Sequence, residues 1–146
     1  MIRKAVGAVV TQGQNILLVH KVKIRSLEDG PAISEWDFPK GGVEEEDKSL
    51  EVAILRELLE ETGSVQFSII KQFSEKISFS FPRGFTEKTG FEKQETTMFM
   101  VEYTGDRKEL APQDDEISEI RFVVKKQVAE MLAHQNTRDF YERSFK

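Results

Sequence analysis

Three glutamates one helical turn apart, Glu57, Glu60 and Glu61, are the group in this 146-residue chain best suited to chemistry. They close a segment from Gly41 to Ser64 that carries eight acids (Glu44, Glu45, Glu46, Asp47, Glu51, Glu57, Glu60, Glu61) and two bases, Lys48 and Arg56. The segment's net charge is −6 against −5 for the whole chain, so the remaining residues sum to +1. It follows Gly41-Gly42 and reads as a helix from Ser49 to Thr62, with Asp47 or Ser49 as N-cap and Gly63 as the stop. At about 100° per residue, Leu50, Ile54, Leu55, Leu58 and Leu59 make one broad apolar face, while Glu57, Glu60 and Glu61 share another with small Ala53. Spacings of three and four bring these carboxylates to about 5–6 Å at their Cβ atoms. They also occupy the last turns, where the helix dipole disfavours each anion by about 0.3–1 kcal/mol. A divalent cation reverses that sign, because it needs clustered hard oxygen ligands. The alternative is a solvated acidic face on which Arg56 pairs with Glu60.

Such a helix needs a scaffold, and the rest of the chain reads as one mixed domain over residues 1–146. Ala5 to Thr11 and Ile16 to Val22 are β-branched runs across a tight turn at Gln12-Gly13-Gln14-Asn15. A loop spans Lys23 to Ser34, and Trp36 to Phe38 is extended up to the glycines. Strands follow at Val65 to Phe73, Ile77 to Phe81, Thr96 to Tyr103 and Glu119 to Val124, with a long loop from Pro82 to Lys93. Lys125 to Ala133 and Arg138 to Phe145 read as helices. At this length folding buries roughly 70% of the unfolded chain's surface, enough for a core without staples.

Composition narrows the chemistry. Cysteine is absent and the only histidines are His20 and His134, which excludes disulfides, thiolate zinc sites, iron–sulfur clusters and multi-histidine metal centres. The net negative charge argues against a long nucleic-acid groove or a grip on anionic membrane, though not against a local basic pocket. The apolar stretch from Ala5 to Val10 is too short for a signal core or a membrane span. A cytoplasmic location fits these features.

The spacing resembles the Nudix box: glycine, five residues, glutamate, seven residues, then Arg-Glu-aliphatic-x-Glu-Glu-x-Gly-aliphatic. Gly42 and Arg56-Glu57-Leu58-Leu59-Glu60-Glu61-Thr62-Gly63 supply it, with Lys48 where the first glutamate belongs and Ser64 in place of the last aliphatic residue. The resemblance implies an α/β Nudix fold, a mixed β-sheet between helices. It also implies hydrolysis of a nucleoside diphosphate-linked substrate with Mg²⁺, or Mn²⁺ as the alternative. By position, Glu57, Glu60 and Glu61 would ligate the metal and one of them would help deprotonate water. Arg56 would brace Glu57 or Glu60. Gly41 and Gly42 would let the backbone approach metal and phosphates. Glu116, on the acidic loop from Pro112, would add a further metal ligand, as in the RNA 5′-pyrophosphohydrolase and dinucleoside polyphosphate hydrolase branches. Lys48 would cost the site a supporting carboxylate.

Further likenesses bear on substrate. Trp36-Asp37-Phe38-Pro39-Lys40-Gly41-Gly42 is similar to a motif of dinucleoside and diphosphoinositol polyphosphate hydrolases. Gln94 and Phe99 resemble a strand of the RNA and dinucleoside enzymes, and Arg3 lies where the RNA enzymes place a phosphate-binding arginine. Lys40, Arg83 and Lys88 are candidates for a basic phosphate wall, with Phe81 or Phe85 as a face for a base. The favoured substrate is a dinucleoside polyphosphate such as diadenosine tetraphosphate. The alternatives are a 5′-triphosphorylated RNA end, a diphosphoinositol polyphosphate, or a non-catalytic module that senses a nucleotide.

Overall fold

The computed structural model describes residues 1–23 and 33–145. In chain order the elements are β1 (Ile2–Gln12), β2 (Asn15–Lys23), β3 (Ile33–Asp37), β4 (Lys40–Gly42), α1 (Leu50–Thr62), β5 (Phe67–Ser80), α2 (Arg83–Thr89), β6 (Lys93–Tyr103), β7 (Ile117–Val124), α3 (Lys125–Met131) and α4 (Gln135–Phe140). A 3₁₀ turn at Arg107–Glu109 and a π turn at Tyr141–Phe145 complete them. Most of the expected loop from Lys23 to Ser34 lies outside the described residues; its last residues belong to β3.

The sheet runs β3-β2-β1-β6-β5, with β4 added against β1 and β7 against β2. It is mixed, because β1 and β6 pair in parallel while β1 with β2, β2 with β3 and β5 with β6 are antiparallel. β1 is buried without interruption from Ala5 to Val10, as a strand covered on both faces must be. Alternate side chains then serve two cores. Val6, Ala8 and Val10 pack with Ile54 and Leu58 of α1, while Val9 packs on the other face with Val128 of α3, Leu132 just after it and Phe140 of α4. The expected mixed sheet between helices is therefore the architecture observed. The β1–β2 turn has a positive φ only at Gly13, the backbone of a type II′ hairpin. No helix among the described residues is long and apolar enough to cross a membrane.

Three elements differ from the sequence reading. The two strands expected between Val65 and Phe81 are one long β5 at the sheet edge, whose pairing slips between Ile69 and Lys71 and again between Gln72 and Lys76. The irregular stretches weaken the alternation that a strand reading depends on. The expected loop after Pro82 contains α2, a short helix closed by Gly90 at φ 81°. On α1, Leu55 and Leu59 are exposed along with Val52, and the buried arc is Ala53, Ile54, Leu58, Glu61 and Thr62.

Candidate active site

α1 starts where Ser49 Oγ accepts the Val52 N–H at 3.1 Å, an N-cap that satisfies one of the helix's open donors. It ends at Gly63, whose φ of 78° lets its N–H reach the Leu59 carbonyl. Between these caps the three glutamates point differently. Glu60 is exposed, Glu57 is partly covered, and Glu61 turns into the protein with 5% of its surface exposed. Glu61 Oε2 is the buried side-chain oxygen without a hydrogen-bond partner among the described residues. Burial pushes the Glu61 carboxyl up to about 8; Lys21 pulls it back, while Glu57, Asp37 and Asp114 push it further. Burial likewise raises Glu57, against the opposing pull of Arg56.

Gly41 makes room for this arrangement. A Cβ there would overlap the Glu57 carboxyl group, and one at Gly42 would run into the Arg3 guanidinium. The glycines thus admit two side chains, which is a stronger requirement than the backbone approach expected from sequence. Their backbone lies on β4, whose residues Gly41 and Gly42 pair with Val6 and Ala5 of β1. The sheet therefore fixes the floor against which α1 sets Glu57.

Arg56 braces the carboxylates. Its Nε and Nη2 bond the two oxygens of Asp47 at 2.9 and 2.8 Å, Nη2 also bonds the Gly42 carbonyl, and Nη1 bonds Glu57 at 3.0 Å and Glu60 at 3.2 Å. The Asp47 side chain is only 3% exposed. Hydrogen bonds from Arg56, then from the Glu44 N–H, hold its carboxyl at about 2. The carboxylate that Arg56 holds through both oxygens is thus that of Asp47, one residue before Lys48, whose own side chain is exposed. Asp47→Ala is expected to lower kcat/KM by about tenfold, since it frees the guanidinium that orients Glu57 and Glu60. Lys48→Glu should change kcat and metal affinity by less than about twofold, as exposed charges do. Steady-state kinetics and metal titration of both variants check this.

The remaining predicted residues do not all converge. Lys40 is taken up in an ion pair with Asp37 at 3.1 Å and a hydrogen bond to Thr137 at 2.9 Å. It ties β4 to β3 and α4, so it is not the free phosphate contact expected. Arg83 is 94% exposed and pairs with Glu87, and Lys88 is exposed on the same short helix. Phe85 stacks on Phe81 at 4.3 Å. None of Arg83, Phe85 and Lys88 lines the cleft beside the acids, so the expected wall is not assembled. That cleft measures about 600 Å³ and is bounded by Arg3, Lys4, Gly42, Glu44, Glu57 and Phe91. Arg3 hydrogen-bonds Gln94, which brings together two residues singled out from sequence. Glu116 is exposed at the head of β7; its N–H bonds Asp114 Oδ1 and its carbonyl accepts from Val22. Asp114, two residues before it, is the loop acid whose charge bears on Glu61.

Sequence reasoning missed Asp47, Asp114, Lys21 and Asp37. Asp47 could have been found from its place in the run before Ser49. Lys21 carried no signal beyond its alternation with Val19 on β2. Among the described residues no three acids already stand gathered as metal ligands. The donor set nevertheless suits a hard cation: buried Glu61 has an open oxygen, and Glu57 lies beside it at the cleft.

The chain is 33% identical to an RNA pyrophosphohydrolase of a Nitratiruptor species over 60% of this chain and 57% of that protein. It is 32% identical to an RNA pyrophosphohydrolase of Campylobacter jejuni over 68% of this chain and 64% of that protein. The matches thus span less than two thirds of these relatives' length. Among solved structures, a MutT protein from Methanosarcina mazei Go1 superposes with a TM-score of 0.71 at 21% identity, covering 97% of this chain and 91% of that one, a likeness of fold. The family model described as NUDIX domain matches residues 1–144, and it is to this family that the chain belongs.

Proposed function

We propose that the protein hydrolyses a pyrophosphate bond in a substrate carrying a nucleotide 5′-polyphosphate, with the triphosphorylated 5′ end of RNA as the leading substrate. The observation that carries this reading is the buried, unpartnered oxygen of Glu61, one helical turn from Glu57, which lines the same cleft as Arg3. Glu57, Glu60 and Glu61 would hold Mg²⁺ or Mn²⁺, with the Asp114–Glu116 loop as the source of a further ligand. When bound, the ion offsets phosphate charge and activates water for attack on phosphorus.

The chain's own residues supply the rest. Glu57 faces the cleft and burial raises its basicity, so it suits the proton of the attacking water. Arg56 keeps Glu57 and Glu60 in place. Arg3 has no carboxylate partner among the described residues and bonds a neutral amide, which leaves its charge for a phosphate. Phe91, at the same cleft, offers an apolar face for a base or ribose.

The names of the curated relatives favour the RNA end. The burial of Lys40 and the exposure of Arg83 weaken the case for a long dinucleoside polyphosphate, and the cleft has too few cations for a diphosphoinositol polyphosphate. The stacked Phe81–Phe85 pair keeps diadenosine tetraphosphate as the second reading. A panel of triphosphorylated RNA oligomer, diadenosine tetraphosphate and ADP-ribose with Mg²⁺ or Mn²⁺, read by product mass, separates these. The RNA end should lead, and Arg3→Ala should reduce its kcat/KM by at least about tenfold. ADP-ribose as the best substrate would overturn the reading. No turnover of any substrate would leave a nucleotide-sensing module.

A further inference from the structure

β1 sends two cations to the cleft, Arg3 and Lys4, and β6 meets each with a different partner. The parallel register sets Lys4 opposite Glu95 and Arg3 opposite Gln94. Lys4 Nζ lies 3.3 Å from Glu95 Oε1, so a carboxylate offsets its charge. Arg3 Nη1 instead donates to Gln94 Oε1, an uncharged acceptor. Gln94 is buried and does not line the cleft, so it reaches the site through Arg3. Its amide orientation follows from chemistry: a guanidinium can only donate, so the amide oxygen must face Arg3. Nε2 then donates to Thr96 Oγ1 at 3.3 Å. Thr96 is itself buried, which anchors the far end of the amide in the protein. On its other side the guanidinium is confined by β4, where a Cβ on Gly42 would run into Arg3 Nη2.

We propose that Gln94 is the positioning residue for Arg3: its buried amide holds the guanidinium plane at the cleft without taking up the charge, so that Arg3 rather than Lys4 sets the affinity for the substrate's phosphates. This rests on the reading above that a nucleotide 5′-polyphosphate occupies the cleft. A guanidinium recognises phosphate through paired N–H groups in one plane, so its orientation matters as much as its charge. A carboxylate at position 94 would hold Arg3 more strongly but would compete with the phosphate for it. An apolar side chain there would leave the charge free and lose the orientation. The amide meets both requirements.

The test is steady-state hydrolysis of a triphosphorylated RNA oligomer by the whole chain with Mg²⁺. Gln94→Glu should raise KM by at least about fivefold and Gln94→Met by about threefold, with kcat in both within about threefold of the original. Each change is then repeated in the Arg3→Ala background. There neither should alter kcat/KM by more than about twofold, because a residue acting through Arg3 has nothing left to position. A role confined to holding the sheet together would persist in that background, and thermal melts of every variant record it separately. Gln94→Met, close to glutamine in size, carries the comparison if the glutamate variant folds poorly. Unchanged KM in both variants, a loss in kcat alone, or equal losses with and without Arg3 would overturn the proposal. No turnover by the original protein would instead remove the reading on which it stands.

Discussion

Gly41→Ala is expected to cut kcat by at least about 100-fold while leaving the fold intact. The added methyl would occupy the space now filled by the Glu57 carboxyl group. β4 cannot move away, because Val6, Gly41's partner on β1, lies in the fully buried centre of the sheet. The side chain of Glu57 must therefore yield. It has solvent to rotate into on the cleft side, so the cost falls on positioning more than on stability, and a displacement of about 1 Å at a reacting group can remove 10²-fold in rate. Thermal melts should show a modest loss, and KM should change little. Glu57→Gln provides the control. Both changes act through one carboxylate, so the double variant should be no slower than the worse single one, because effects of groups acting as a unit do not add. Additive losses would show that Gly41 matters for another reason. Gly42→Ala, whose methyl would meet Arg3 instead, should raise KM more than it lowers kcat.

The box helix shows what spacing can and cannot reveal. Its caps at Ser49 and Gly63 were legible, since each needs a specific residue type at one position. Its buried face was not. Counting leucines places Leu55 and Leu59 inside, but the sheet covers an arc that includes small Ala53 and ionisable Glu61, which hydrophobicity assigns outward. A carboxylate in the buried arc is what misleads a pattern built on polarity. Lys48 illustrates the same limit: position by position it removes an acid, whereas the loop conformation lets Asp47 bind Arg56 through both oxygens. Neither Lys40 nor Arg83 stands at the cleft, for opposite reasons: one is paired with a buried acid and the other lies in solvent. Arg3 and Gln94, unremarkable as single residues, meet because β1 and β6 pair in parallel with Arg3 opposite Gln94. That register is a long-range fact no local pattern contains.

Glu61 provides the second large effect, through pH. Its carboxyl titrates near 8 in the folded, metal-free protein and near the ordinary 4.5 when unfolded. Between those values the unfolded chain has released a proton that the folded chain keeps. Stability therefore falls as pH rises from about 4.5 to 8, and outside that window this group adds no further dependence on pH. A divalent ion needs the ionised form, so binding below pH 8 must expel the proton, and affinity should rise by up to about tenfold per pH unit. Because Glu57 is also raised and couples to Glu61, the released proton belongs to the pair. Melts from pH 5 to 9 with and without Mg²⁺ should diverge as pH rises, with the ion restoring the lost stability by mass action. Calorimetry in two buffers of different ionisation enthalpy should count close to one proton released per ion near pH 6.5. Glu61→Gln removes the titrating group without changing the side chain's size. It should flatten the metal-free pH slope, abolish most of the Mg²⁺-dependent rise in Tm, and lower kcat by at least about 100-fold. A variant that keeps its metal stabilisation, or an original protein that binds the ion without releasing a proton, would show that the buried oxygen of Glu61 faces something other than a cation.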